Sequence, residues 1–401
     1  MDLADVPVLL MLVGLAAYGV LGGADFGAGF WQLLGGRSDR DREIREHAHH
    51  SMGPVWETNH VWLIFILVVC WTAYPGAFGS LMSTLAVPLF LAGIGIVPRG
   101  AAYALRSGTE TPREQRIVET VLGSASILTP FALGAAVGGI ASGRVPVGNA
   151  EGDLVTSWLN ATSILVGVLA VVTAAHMAAV FLAADANRLG RADLVEAFRV
   201  RALGSAVVAG AAALAGLIVV REDAETIWDG LTGGAGLGAV LVSAAGGLAT
   251  LWLVWRSRFE PARYTAAVSV GAIIAGWALA QRPTFLPGLT IDEAAADRST
   301  LIALIVSVAI GAVLLVPALA LLFGLVLRGR FDRELPVEAP PGAVTEGEAR
   351  TLIGVAVVCL LVGSGLLLVV ERPWATALGV VALLGFVATA FVALTTRPLA
   401  D

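Results

Sequence analysis

The chain has 401 residues, of which 57% are hydrophobic and only 14% charged, with a mean hydropathy of +0.83 and a formal net charge of −6. A soluble domain carries about 25% charged residues, so this composition excludes an ordinary water-soluble globule. The 25 basic residues are all Arg and form no dense tract, which excludes a nucleic-acid surface. The two cysteines, Cys70 and Cys359, both lie in apolar runs and exclude a disulfide framework.

Apolar blocks of about 20 residues are what a helix needs to cross the hydrocarbon layer, and helices satisfy their own backbone there. The sequence predicts an all-α integral membrane protein with about eleven transmembrane helices. In chain order they cover 6–34, 52–74, 77–98, 117–141, 155–184, 200–220, 234–255, 264–281, 299–327, 352–370 and 375–395. The first segment begins with Asp2 and Asp5 instead of a basic region and is too long for a signal peptide, so it is expected to stay as helix one.

Arginine placement predicts orientation. The odd-numbered connections hold Arg37, Arg40, Arg42 and Arg45, then Arg99, Arg106, Arg113 and Arg116, then Arg188, Arg191, Arg199 and Arg201, then Arg256, Arg258 and Arg263, then Arg328, Arg330, Arg333 and Arg350. The even-numbered ones hold only Arg144, Arg221, Arg282, Arg298 and Arg372. This alternation puts the N-terminus outside, and the odd connections and the C-terminus in the cytoplasm. A polar Pro/Glu-rich linker, 329–350, with Pro336, Pro340 and Pro341, separates a body at 1–328 from a two-helix hairpin at 351–401.

Ionisable groups inside such spans are costly and are functional candidates by default. They are Asp25 in helix one, Glu57 and His60 in helix two, Glu119 in helix four and His176 in helix five, with Asn59 and Asn160 as neutral polar companions. Counted at about 1.5 Å per residue from the predicted ends, Asp25, Glu57, Glu119 and His176 all fall in the cytoplasmic half. Carboxylates and imidazoles in series are what a proton relay needs, because burial moves a carboxylate toward neutral titration. The same residues admit a bland reading, in which Asp25 and Glu57 pair with an Arg or hold helices together and the His residues are packing groups. Glu119 is near enough to the surface to be solvated. His47, His49 and His50, in the Arg-rich first connection, could bind a metal or simply face solvent. The run GGADFGAG at 22–29 is no dinucleotide loop, since no strand precedes it; its small residues allow close helix contact beside Asp25.

The stretch GPVWETNHVWL at 53–63 resembles the signature of subunit II of the cytochrome bd-type quinol oxidases, with Pro54, Trp56, Glu57, Asn59, Val61, Trp62 and Leu63 in the matching places. The Asp-Phe-Gly-x-Gly segment within 19–29 and the Arg99-Gly100 pair followed by Arg106 are similar to the same family. The likeness is dense over the first 110 residues or so, and helix count extends it to about residue 328. It implies a nine-helix body, two four-helix bundles plus one helix, in a bacterial cytoplasmic (inner) membrane. It further implies a chain that binds no haem itself, packs against a subunit I bearing haems b and d, and serves the oxidation of quinol by oxygen. Glu57 would then be the main carrier of protons from the cytoplasm, Asp25 an assistant, and His60, Asn59 and Trp56 the residues that shape the path. A structural quinone and small single-helix accessory subunits occur in some members. Two departures stand out. Gly22 replaces an Asp common in the family, and the hairpin at 352–395 exceeds nine helices, as if to cover a surface that accessory subunits occupy elsewhere. Rival readings are a proton-coupled transporter, against which no pair of broken helices in matching halves is found, and a purely structural scaffold.

Overall fold

A computed structural model describes residues 2–35, 39–52, 56–106, 111–327, 346–369 and 373–395. It is helical almost throughout. Helices α1 (Asp5–Ala17) and α2 (Gly23–Leu33) form one continuous rod joined by a π-helical turn at Tyr18–Gly22. Then come α3 (Asp39–Met52), α4 (Trp56–Ala73), α5 (Pro75–Thr84), α6 (Ala86–Arg106), α7 (Pro112–Ala141), α8 (Ala161–Arg188) and α9 (Ala192–Asp223). After the short α10 (Glu225–Thr232) follow α11 (Gly234–Trp255) and α12 (Phe259–Gln281). A two-stranded antiparallel hairpin, β1 (Thr284–Leu286) and β2 (Leu289–Thr290), and one turn of helix, α13 (Ile291–Ala294), lead to α14 (Arg298–Leu327). Helices α15 (Glu346–Val369) and α16 (Pro373–Thr395) end the described chain.

Among the described residues eight helices are long and apolar enough to cross a membrane, and three shorter apolar stretches, Asn59–Ala73, Thr351–Leu366 and Ala377–Thr389, fall in the other predicted spans. Large apolar side chains stand exposed along them, such as Val207, Leu214 and Ile218 on α9. In water such a surface would drive aggregation; in lipid it is the ordinary outer face.

The chain forms two compact units, 1–312 and 313–401. In the first, α8 is central and packs against α2, α7, α9 and α12. Its buried face is mostly alanine, from Ala174 to Ala186, so neighbouring backbones come close. A Cβ on Gly27 would run into the Ala174 carbonyl, which is why α2 carries glycine there. Trp31 fixes the same crossing by donating from Nε1 to the Ala175 carbonyl at 2.8 Å. Larger residues fill the two ends. One cluster joins Ile44, Leu194, Phe198, Val254 and Phe259. The other joins Tyr74, Leu85, Val145, Leu286 and Leu301. In the second unit Gly363 of α15 packs against Leu383 and the Gly379 carbonyl of α16. Of the predicted linker, 329–345 lies outside the described residues, and α15 begins at Glu346.

Three expectations need correcting. The Arg-rich first connection is not a loop but the amphipathic helix α3, which buries Ile44, His47 and Ala48 at the helical spacing i, i+3, i+4. The third predicted span, 77–98, is broken at Leu85. Pro88 has no N–H to give the Thr84 carbonyl, which accepts instead from Ser157 Oγ at 3.3 Å, and the helix restarts as α6 and runs on to Arg106. Asn160, expected within the fifth span, stands just before its helix. It caps the N-terminus of α8, accepting from the Ser163 N–H at 2.9 Å.

Candidate functional site

The π-helical turn at Tyr18–Gly22 is the one irregularity in the first rod, and a π-bulge inside an α-helix often marks a working site. One turn further on, α2 presents Asp25, whose side chain is completely buried. Its partner is Arg99 of α6, also completely buried, with Nη2 2.7 Å from Asp25 Oδ1 and 3.0 Å from the Asp25 carbonyl. Tyr103, one turn along α6 from Arg99, donates its hydroxyl to Asp25 Oδ1 at 3.1 Å. The other arm of the guanidinium, Nη1, donates to Ser126 Oγ and to the Leu122 carbonyl at 3.4 Å, both on α7. Gly29 makes room for this, since a Cβ there would collide with Ser126 Oγ. The ring of Phe26 faces the guanidinium carbon at 4.8 Å and that of Tyr103 at 5.2 Å, contacts that stabilise a desolvated cation. A carboxylate and a guanidinium thus tie α2, α6 and α7 together where no bulk water reaches. Among the described residues Asp25 Oδ2 and Arg99 Nε have no hydrogen-bond partner.

Phe26 joins this pair to α4. Its ring lies edge-on to His60 at 6.0 Å, and both contact Tyr18, each at 6.3 Å between centroids. Asn59, next to His60, is buried, and its Nδ2 has no partner among the described residues. Asp25, His60 and Asn59 therefore stand on adjoining elements, with Phe26 between the charge pair and the imidazole. Trp56 and Glu57 lie in the first turn of α4, and their side chains are outside the described residues. On the other side of the pair, His49 of α3 stacks on Tyr103, with centroids 5.7 Å apart and planes 18° from parallel. A line of contacts runs from the amphipathic helix through Tyr103 to Asp25.

The remaining candidates belong elsewhere. His176 turns Nδ1 toward the Ala202 carbonyl at 3.2 Å and Ser205 Oγ at 3.3 Å, so it fastens α8 to α9. His47, expected to face solvent, is buried, donates from Nε2 to the Leu182 carbonyl at 3.1 Å and packs on Phe198. Glu119 is half-exposed on α7. Among the described residues no group of three metal-ligating side chains forms. Of the described histidines, His47 and His176 are engaged with backbone carbonyls, His49 is stacked on Tyr103, and His60 lies edge-on to Tyr18 and Phe26.

Arg99 was assigned by sequence to a cytoplasmic connection, yet it is the partner of the most buried carboxylate. The signal was present. The apolar run continues past it as Gly-Ala-Ala-Tyr-Ala-Leu, and Arg99 and Tyr103 are spaced i, i+4 on one helix face. Tyr18 carried no such signal, because its role depends on the π-helical turn.

The fold and this site define a polytopic, predominantly helical membrane protein built around a charge pair in its interior. Residues 3–326 match the family model described as cytochrome bd terminal oxidase subunit II, and the chain belongs to that family. It is similar to the cytochrome bd ubiquinol oxidase subunit 2 of Bacillus subtilis (strain 168), 25% identical over 170 residues, 42% of this chain and 49% of that protein. A putative cytochrome bd menaquinol oxidase subunit II of the same organism is 24% identical over 222 residues, 53% of this chain and 61% of that one. The cytochrome bd-I ubiquinol oxidase subunit 2 of Escherichia coli (strain K12) is 28% identical over 135 residues, 34% of this chain and 35% of that one. The chain spans about half the length of the first of these relatives. Its fold is similar to a chain in the structure of bd oxidase from Geobacillus thermodenitrificans, with a TM-score of 0.64 and 24% identity, covering 82% of this chain and 99% of that one.

Proposed function

We propose that this chain is the non-haem subunit II of a bd-type quinol:oxygen oxidoreductase in a bacterial cytoplasmic membrane. It crosses the membrane eleven times, with its N-terminus outside and its C-terminus inside. It supports a haem-bearing subunit I, which oxidises quinol and reduces oxygen to water, and it supplies part of the route by which protons reach that reaction from the cytoplasm. The single observation that carries this reading is the buried Asp25–Arg99 pair, with Tyr103 bonded to it and His49 of α3 stacked on Tyr103. A burial this complete is costly for two charges unless they are well paired. It is expected where a membrane protein needs a fixed charge beside a moving proton.

Glu57, at the start of α4, is the main proton carrier. Asp25 assists it. One of its oxygens is held by Arg99 and Tyr103, and Oδ2 is the atom left to accept. His60, Asn59 and Trp56 shape the space between them. The body at 1–328 performs this role, and the hairpin at 351–401 covers a lipid-facing surface that single-helix accessory subunits take in relatives. The decisive substitution is Glu57→Leu. It is expected to slow quinol-driven oxygen uptake by about a hundredfold or more, the usual scale for losing a proton-transferring group, while the haem spectrum of the co-purified complex stays normal. Full turnover in a correctly assembled Glu57→Leu complex would overturn the assignment.

A second reading has one observation in its favour. The Asp25–Arg99–Ser126 linkage clamps three helices, as a purely structural scaffold would require. Asp25→Asn separates the two. Both readings expect a lower yield, because Arg99 is left buried without its counter-charge. The scaffold reading expects unchanged turnover per haem in the complex that does assemble, and the proton-path reading expects that turnover to fall.

A further inference from the structure

The turn between α11 and α12 carries two arginines that the reading above does not use. Helix α11 closes with the Arg258 N–H bonded to the Leu253 carbonyl at 2.8 Å and the Ser257 N–H bonded to the Val254 carbonyl at 3.0 Å. This is the double-bonded C-terminal closure of a helix, and its left-handed position is normally glycine. Here Ser257 occupies it at φ +56°. The closure holds Arg256 and Arg258 on either side of one rigid residue. The Arg256 guanidinium carbon sits 5.8 Å from the Trp252 ring centroid and 5.5 Å from that of Trp255. Trp252, Arg256 and Arg258 line a cavity of about 390 Å³.

Among the described residues the charge of this cavity is uncompensated. Its neighbour Arg199 pairs with Glu196 and its neighbour Arg263 with Asp185 and Glu260. Among the described residues no carboxylate forms an ion pair with Arg256 or Arg258. Arg258 also stands at the N-terminus of α12, a helix of 23 residues whose N-cap makes no side-chain hydrogen bond, so its partial positive charge adds to the same field; the one acidic residue of that first turn, Glu260, is paired with Arg263 at 3.6 Å.

A free phosphate and a phospholipid headgroup share the chemistry this cavity selects, and the apolar surface beside it distinguishes them. Leu241, Leu248, Trp252 and Trp255 are all exposed and recur on one face of α11 at spacings of seven, four and three residues. This stripe leads along the membrane-spanning helix to the arginines. Acyl chains can lie along it with the phosphodiester at the cavity. Basic pockets at helix ends on the cytoplasmic side are suited to anionic headgroups, and tryptophans at that level belong to the interfacial belt.

We propose that the α11–α12 turn is a binding site for an anionic phospholipid, its phosphodiester held by Arg256 and Arg258 and its chains lying on the Leu241–Trp255 stripe. The full chain, in whatever complex it is isolated from its membranes, is delipidated in detergent and titrated with phosphatidylglycerol, phosphatidylcholine and inorganic phosphate. Bound lipid is counted by native mass spectrometry and thermal protection is measured in parallel. Phosphatidylglycerol is expected to bind and protect, and Arg256→Gln/Arg258→Gln is expected to weaken it about tenfold or more. Phosphatidylcholine and inorganic phosphate are expected to give little protection, unchanged by the substitutions. Equal phosphatidylglycerol affinity in the double variant, or equal protection by phosphate, would overturn the proposal. If the double variant does not fold, Arg258→Gln alone is measured, and a several-fold loss supports the site while no loss refutes it. None of these readouts depends on proton transfer or on Glu57.

Discussion

Two ion pairs in this chain have the same chemistry and opposite surroundings. Asp25–Arg99 ties α2, α6 and α7, and both side chains are fully shielded. Asp223–Arg144 ties the end of α9 to the α7–α8 connection and, through Thr162, to the start of α8. It is the better-formed pair, with two parallel bonds of 3.1 and 2.6 Å, but its partners are 35% and 20% exposed. The difference teaches that geometry alone does not set the worth of a charge pair. Water can replace either partner at Asp223, whereas at Asp25 only protein can. The outer pair is therefore a fastener. The inner one is a fixed field that the surrounding helices must be built to hold.

The largest expected effect comes from breaking the inner pair on one side. Arg99→Leu leaves Asp25 charged and alone in the interior, and such losses cost about 3–5 kcal/mol. The yield of folded protein from membranes should fall sharply. The double variant Arg99→Leu/Asp25→Leu removes both charges and should recover most of that yield, because the desolvation cost of both groups goes with them. It should not recover oxygen uptake. A double variant that folds no better than the single one would mean that the pair's hydrogen bonds, and not its charges, organise the site.

How much of this was legible beforehand differs between the same two regions. Asp25 stands out because a carboxylate in an apolar run is costly and needs a partner or a function. Its partner does not, because with a third span over 77–98 Arg99 falls among the loop arginines. The break at Leu85 moves that boundary. A Pro-disrupted first turn shifted the helix frame, and α6 in fact begins at Ala86 and ends at Arg106. The eleven apolar stretches were readable from length and hydropathy, which in lipid depend on little else. The hairpin at Thr284–Thr290 and the short α10 were missed although Pro287-Gly288 is a turn signal; set against long helices it was read as part of a connection. Helix α3 was missed for a different reason. Its high charge hides a narrow apolar face, Ile44, His47 and Ala48, which only the neighbouring α2, α8 and α9 give a meaning.

The outer pair sharpens the comparison with smaller effects. Arg144→Ala removes a bidentate bond that is open to water, so a stability loss of about 0.5–1 kcal/mol is expected, with turnover unchanged. A loss as large as that from Arg99→Leu would show that the outer cluster is shielded in the assembled protein. The smallest effect belongs to Arg191, which bonds Glu43 of α3 at 2.8 Å and Asp193 at 3.2 Å with every partner about half exposed. Long exposed side chains give up in entropy what they gain in attraction, and salt screens the rest. Arg191→Ala should therefore leave the melting temperature unchanged at 0.15 M salt and lower it, if at all, only at low ionic strength. Because Glu43 lies on the same helix as His49, this variant also asks whether α3 is held by its surface charges or by its buried face. A marked drop in melting temperature that shrinks as salt is raised would assign the hold to the charges. An unchanged melting temperature leaves Ile44, His47 and Ala48 as what keeps the helix, and His49 with it, against Tyr103.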